Sequence, residues 1–407
     1  MSGMVSASRR PSSEDVRTGF ETGRAMTLTL ETLEKLIGFN SVSARSNLDI
    51  IAFIEDFLQT RGFRLTRIPD ASGQKAGLFA EIGPSEGGAL LSGHTDVVPT
   101  EGQNWTKDPF RLSREEDRVY GRGTTDMKGY LAAMLTVADA AASRDLKEPL
   151  KLVFSYDEEI GCVGIQHMLP ALKPLLGAPR MCLVGEPTEM QVAVGHKGKA
   201  AIRARCFGQN GHSALAPMFV NALHLATDFV AELRHIQAEY AQNGSQDAAY
   251  SIPYTTLHVG KLSGGMALNI VPDSAEVVFE YRHLAADDPE DIMDRIARAA
   301  EAIARKYRPD FAQADIVLDR YNAYPGLDVS QDARIAGIVQ RLAENQSITK
   351  VAFGTEAGFF SNLGIETVVC GPGSMAGQGH KPDEYITLDQ LDACDRMLMR
   401  TLDEISQ

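Results

Sequence analysis

The sequence predicts an α/β fold, a mostly parallel sheet whose chain is interrupted by an inserted α+β domain. Three observations carry this reading. Short apolar runs recur at 88–93, 149–156, 181–185 and 366–371, and their length and weak alternation suit strands buried on both faces. Helical patterns such as 127–142 separate them, and strands alternating with helices imply a parallel sheet. The middle of the chain differs: 197–208 and 274–283 alternate apolar and polar residues, as an antiparallel sheet with one wet face does.

In chain order, 27–38 reads as a short helix and 46–62 as a second, closed by Gly62. Two long helical patterns, 219–241 and 287–307, lie beside the alternating stretches. The order β-α-β-β-α-β is therefore expected for 195–318, as the inserted domain. The parent domain takes 26–194 and 319–407. Residues 1–25 are polar and carry Arg9, Arg10, Arg17 and Arg24 with no apolar stretch behind them. They read as a disordered extension rather than a secretory signal, or as a start assigned too early, with Met26 as the true one. No internal repeat or low-complexity segment stands out.

Composition narrows the function. The chain has 407 residues, 44% hydrophobic and 23% charged, enough for two ordinary globular domains. No apolar run approaches the roughly 20 residues that cross a bilayer. A formal charge of −14 excludes a phosphate-tracking nucleic-acid protein and tolerates a cationic small substrate. Five scattered cysteines without a C-x-x-C pair read as reduced thiols in a cytoplasmic protein.

Chemistry-bearing residues gather where the predicted strands stop. His94 and Asp96 follow the run at 88–93, Glu158 and Glu159 follow 149–156, and Glu186 follows 181–185. His380 lies in the Gly-rich loop after 366–371, and Asp126 just before a helix. In open α/β sheets, sites form beyond the carboxyl ends of the strands. Singly each residue has a bland reading: a surface histidine, a solvated Glu-Glu pair, a turn. The segment GRGTTD also resembles a phosphate loop, but it lacks the G-K-[ST] ending. Together they point to a metal. His94, Asp126, Glu159, Glu186 and His380 are too many ligands for one catalytic zinc and suit two ions sharing a carboxylate. Asp96 is then free to orient His94, and Glu158 to take a proton from the attacking water.

At this point the segments SGHTDVVP, GRGTTDMKG, DEEIG, GEPT and GHKPDEY resemble, in order, the motif series of the co-catalytic zinc deacylases and peptidases. The resemblance spans about 30–400. It implies two Zn2+, with Co2+ as a substitute. Asp126 would bridge them, His94 and Glu186 would complete one shell, and Glu159 and His380 the other. It assigns Glu158 as general base and Asp96 as the partner of His94. It makes the inserted domain a lid and a homodimer interface over the metal-binding catalytic domain. His212, in GQNGHSA, would steady the oxyanion in the partner copy's site. Asn269, and Arg282 as a fork for a carboxylate, would bind substrate, together with Gly354 and Thr355 of FGTEAGFF. Three stretches, 44–51, 194–208 and 239–265, are most similar to the acetylornithine deacetylase branch. That implies hydrolysis of an N-acetyl amide on a basic amino acid, a step of arginine biosynthesis. A deacylase or dipeptidase for another N-acyl amino acid shares the same metal residues. The implied partners are a small N-acyl amino acid and a second copy of the chain, with no nucleic acid and no membrane.

Overall fold

A computed structural model describes residues 26–407, so the extension expected over 1–25 lies outside the described residues. The four apolar runs become neighbours. Strands Leu150–Ser155, Ala89–His94, Met181–Pro187 and Thr367–Gly371 lie side by side in that order, all parallel. Every residue of the four is buried. Leu91, Leu152 and Leu183 face one core, and Leu90, Val153 and Val184 the other. Each such side chain contributes about 1.5–3 kcal/mol on burial.

Antiparallel strands flank this centre. Arg64–Pro69 and Ala76–Ile82 extend one edge, and Val192–His196 and Leu327–Asp328 the other. Ile348–Val351 pairs parallel with Val192–His196 and completes a nine-stranded sheet. The helical residues 26–37 and the helices Leu48–Gln59, Lys128–Ala141, Arg334–Ala343 and Leu388–Ser406 pack on one face, and Val163–Leu176 and Ala357–Asn362 on the other. The α/β expectation is borne out: the sheet is parallel where the site lies, and antiparallel at its edges.

The middle of the chain builds a second core. Thr256–Gly264, Ser274–His283, Gly198–Phe207 and Asp315–Tyr324 form a four-stranded antiparallel sheet in that order, whose last strand runs past residue 318. Burial along Ser274–His283 alternates as the sequence pattern does. Helices Ala222–Asn243 and Pro289–Tyr307 cover the apolar side, and Phe229 meets Phe279 edge-on at 5.7 Å. The second helix starts where its chemistry says it should. Asp288 accepts from the Glu290 N–H at 2.8 Å, Pro289 opens the first turn, and Arg305 and Lys306 stand in the last. All five cysteines are buried and free. Among the described residues no helix is long and apolar enough to cross a membrane.

Candidate metal centre

The parallel strands end together, and the pairing of His94 with Ser155 sets the height of the site. His94 is the last residue of its strand, and Glu186 the penultimate residue of Met181–Pro187. Glu158 and Glu159 leave Leu150–Ser155 in the following turn, Asp126 lies two residues before the helix Lys128–Ala141, and His380 comes from the loop after Thr367–Gly371.

Asp126 is the hub. One of its carboxylate oxygens lies 3.1 Å from His94 Nε2, and the other 3.0 Å from His380 Nε2. Each imidazole has a second carboxylate: Glu186 at 3.5 Å from His94, and Glu159 at 3.0 Å from His380. Two overlapping groups, His94 with Glu158 and Glu186 and His94 with Asp126 and Glu159, keep their donor atoms within 4.8 Å of one another. His94, Asp126 and Glu186 are buried, and His380 stands at the mouth with its side chain 46% exposed.

The electrostatics are those of an array short of positive charge. Burial pushes the Glu158 carboxyl up to about 8, with His94 opposing and Glu159 and Glu356 adding to the rise. Burial and Asp126 push Glu159 up to about 7, and burial lifts Glu186. Burial pulls the His94 imidazolium down, yet Glu186 and Asp126 carry it well above the histidine range. Hydrogen bonds to Asp126 and Glu159 lift His380 to about 10. Carboxyls packed this closely hold protons unless a cation replaces them. Glu159 also keeps a buried oxygen, Oε1, without a hydrogen-bond partner. Imidazole nitrogens, carboxylate oxygens and a spare buried lone pair fit zinc or a similar divalent ion.

Asp96 supports this array in two ways. Its backbone carbonyl is the nearer partner of His94 Nδ1, at 2.9 Å, with the carboxylate at 3.5 Å. The carboxylate accepts from the Ser43 hydroxyl at 2.7 Å and from the Glu158 and Glu159 N–H groups at 3.1 and 3.3 Å. It therefore fixes the turn that carries both glutamates. Three residues at the centre escape sequence reasoning. Ser43 gives no signal, being far upstream. Cys162, whose thiol donates to Glu158 Oε1 at 3.2 Å, is signalled only by its four-residue spacing from Glu158. Glu356 is buried with neither carboxylate oxygen hydrogen-bonded, although it lies inside FGTEAGFF.

The remaining candidates lie on the second unit or around its junction. His212 is exposed, accepts from the Ala214 N–H at 3.1 Å, and pairs across from Ile270. Asn269 is beside it, its carbonyl accepting from the Ser213 N–H. Among the described residues neither hydrogen-bonds to the carboxylate array of its own chain. Arg282 donates to Glu280 Oε1 at 2.9 Å, and Glu280 also meets Lys199. Gly354 is pressed by the Tyr324 hydroxyl, which a Cβ there would meet at 2.2 Å. Thr355 is fully buried and its hydroxyl accepts from the Ala357 N–H at 3.1 Å, just ahead of the following helix.

An α/β sheet with such an array at its strand ends is the framework of a hydrolase. The chain belongs to peptidase family M20/M25/M40, whose pattern matches residues 90–404. Acetylornithine deacetylase of Pasteurella multocida (strain Pm70) is 32% identical over 366 residues, 88% of this chain and 91% of that protein. The enzyme of the same name from Myxococcus xanthus is 32% identical over 378 residues, 91% of this chain and 96% of that one. Among solved structures, a Staphylococcus aureus tripeptidase has the same fold, with a TM-score of 0.73 at 18% identity over 94% of this chain and 98% of that one. A Bacillus subtilis protein described as a dinuclear metal binding peptidase of the M20 family aligns with a TM-score of 0.64 at 15% identity, over 94% of this chain and 99% of that one.

Proposed function

We propose that this chain hydrolyses the amide of N-acetylornithine to ornithine and acetate, using two divalent ions, zinc in the first place. One observation carries the reading: Asp126 presents one oxygen to each of two imidazoles, and each imidazole has a further carboxylate beside it. His94 and Glu186 would hold one ion, Glu159 and His380 the other, with Asp126 between them. When bound, the pair polarises the amide carbonyl and offsets the charge that develops on its oxygen.

The chain's own residues do the rest. Glu158, buried beside the array and hydrogen-bonded by Cys162, takes a proton from the attacking water and delivers one to the departing nitrogen. The C–N bond breaks, and acetate and the free amine leave. Asp96 keeps Glu158 and Glu159 in place through their backbone N–H groups. Arg282 pairs with the substrate carboxylate by exchanging its contact with Glu280, and the backbone at Gly354 borders the substrate. His212 and Asn269 act across a homodimer, each chain lending them to its partner's site. Relatives named acetylornithine deacetylase support the acetylornithine assignment. A second reading is another N-acyl amino acid or a dipeptide on the same centre, in line with fold neighbours named as dipeptidases. The five free cysteines fit a cytoplasmic enzyme.

The test is release of ornithine from N-acetylornithine by protein stripped of metal and reloaded with zinc or cobalt, beside Glu158→Ala. Metal-dependent release that drops at least about a hundredfold in the variant is expected. Hydrolysis of other N-acyl amino acids but not this one would leave the chemistry and replace the substrate. No amide hydrolysis with metal bound would overturn the proposal.

A further inference from the structure

Glu384 is 1% exposed and gathers a loop around itself. Its Oε1 accepts from the Thr125 N–H at 2.9 Å and from the Asp126 N–H at 3.1 Å. Its Oε2 accepts from the Gly123 N–H at 3.0 Å and from Arg122 Nη1 at 2.7 Å. Four donors converge on one carboxylate, three of them from the backbone that presents Asp126. The bonds run back as well: the Gly121 N–H donates to the Glu384 carbonyl at 2.9 Å, and the Thr125 hydroxyl to the Tyr385 carbonyl at 2.7 Å.

The same group reaches His380. Arg122, itself 1% exposed, uses its other terminal nitrogen on Gln103 Oε1, and Gln103 Nε2 donates to the His380 carbonyl at 3.0 Å. Trp105 Nε1 donates to the same Gln103 oxygen at 3.0 Å. One polar chain thus runs from the Asp126 backbone through Glu384, Arg122 and Gln103 to the His380 backbone. The side chains at its two ends meet at 3.0 Å.

We propose that Glu384, Arg122 and Gln103 form a brace that sets the spacing of Asp126 and His380, and so the affinity for the ion those two share with Glu159. All three are positioning residues: none of them is a ligand. The inference rests on the two-ion reading above. Its physical basis is that a ligand held rigid before binding loses little freedom when the ion arrives. A brace anchored to two backbones fixes the loops themselves, where a bond to a ligand side chain would fix only a rotamer.

Removing Glu384 outright would strand a buried guanidinium. The variants are Glu384→Gln, which keeps the shape but gives up the charge opposite Arg122, and Gln103→Met, which cuts the links to His380, Arg122 and Trp105 and leaves Glu384 in place. Zinc and cobalt affinities and stoichiometries are measured on metal-free protein by competition with a chelator, with thermal melting of the metal-free chains alongside. The wild type is expected to bind two ions. Gln103→Met should keep one with unchanged affinity and bind the ion of Glu159 and His380 about 10–100-fold more weakly, and Glu384→Gln, which also loosens the shared Asp126, should weaken both. The visible cobalt spectrum of the second ion should weaken in parallel. Two ions bound at wild-type affinity by a folded variant would overturn the brace, even if the metal-free chain melted earlier. Should Glu384→Gln fail to fold, Gln103→Met decides by the same criterion. A wild type that binds no second ion overturns the two-ion reading itself, and the brace falls with it.

Discussion

Asp395 shows what sets the carboxylates of the centre apart from other buried acids. It lies in the helix Leu388–Ser406, 4% exposed, with both oxygens 2.8 Å from the Thr29 hydroxyl, which in turn meets the Thr136 hydroxyl. Burial pushes its carboxyl up to about 7, with Thr29 opposing. Among the described residues no imidazole or cation is hydrogen-bonded to it, so burial holds its proton well above the ordinary carboxylate range. A carboxyl raised in the folded state stabilises the fold fully below the ordinary carboxylate range, and that contribution is lost as pH rises through the folded value. Melting followed from about pH 4 to about 8 should therefore show a decline in the wild type, spread from the ordinary carboxylate range up to about 7 and absent above it, that Asp395→Asn reduces. Identical pH dependence in the two proteins would mean that Asp395 is charged inside the fold. Nothing in the sequence marks this residue, because an acid on an amphipathic helix reads as surface. The five ligand candidates are legible for the opposite reason: His94, Glu159 and Glu186 stand just past apolar runs, His380 in the loop that follows one, and Asp126 in a glycine-rich segment before a helix, where such residues have no cause to recur. Ser43 and Glu384 stay hidden because their partners, the Asp96 carboxylate and the 123–126 backbone, are remote in sequence, and no spacing rule reports that.

At the scale of elements, the apolar runs fall within about one or two residues of the strands they predict, because burial on both faces leaves no other use for such a run. How closely the layers approach is not legible, and Gly185 shows it. This residue of Met181–Pro187 faces Tyr130 on the helix Lys128–Ala141, and a Cβ there would lie 2.0 Å from the ring. Tyr130 is fully buried, and its hydroxyl donates to the Leu183 carbonyl at 3.2 Å. The helix behind it is clamped by Leu388–Ser406, so the ring has nowhere to go. Gly77 is the control, since the nearest atoms a Cβ there would meet, Sδ, Cε and Cγ, all belong to Met168, a flexible side chain. Gly185→Ala should cost about 3 kcal/mol or more in urea unfolding, and Gly77→Ala about 1 kcal/mol or less. Equal costs would mean that the helix is free to shift away from the sheet.

At the scale of the whole molecule, the second unit leaves an apolar surface uncovered. Met266 is 92% exposed and Leu268 fully exposed, with Leu215, Met218, Leu262 and Ile270 also open. They surround His212 and Asn269, and they adjoin Thr256–Gly264, an edge strand of the four-stranded sheet. Open apolar side chains beside an unpaired strand edge mark a surface built to be covered. In the proposed homodimer the covering surface is a second copy, and the contact that buries these side chains also carries His212 to the other active site. Association and catalysis are then one property. Leu268→Asp should give a monomer by light scattering, with unchanged metal content and a kcat lower by about 10²–10³, the usual effect of losing one oxyanion donor. Mixing separates a shared site from two independent ones. His212→Ala and Glu158→Ala would each be inactive alone. If His212 acts across the interface, a hybrid dimer holds one site with both residues intact, so an equal mixture allowed to exchange should recover about one quarter of wild-type activity. A mixture as inactive as its components, with exchange verified, would place His212 outside the partner's chemistry and return the lid to a purely structural role.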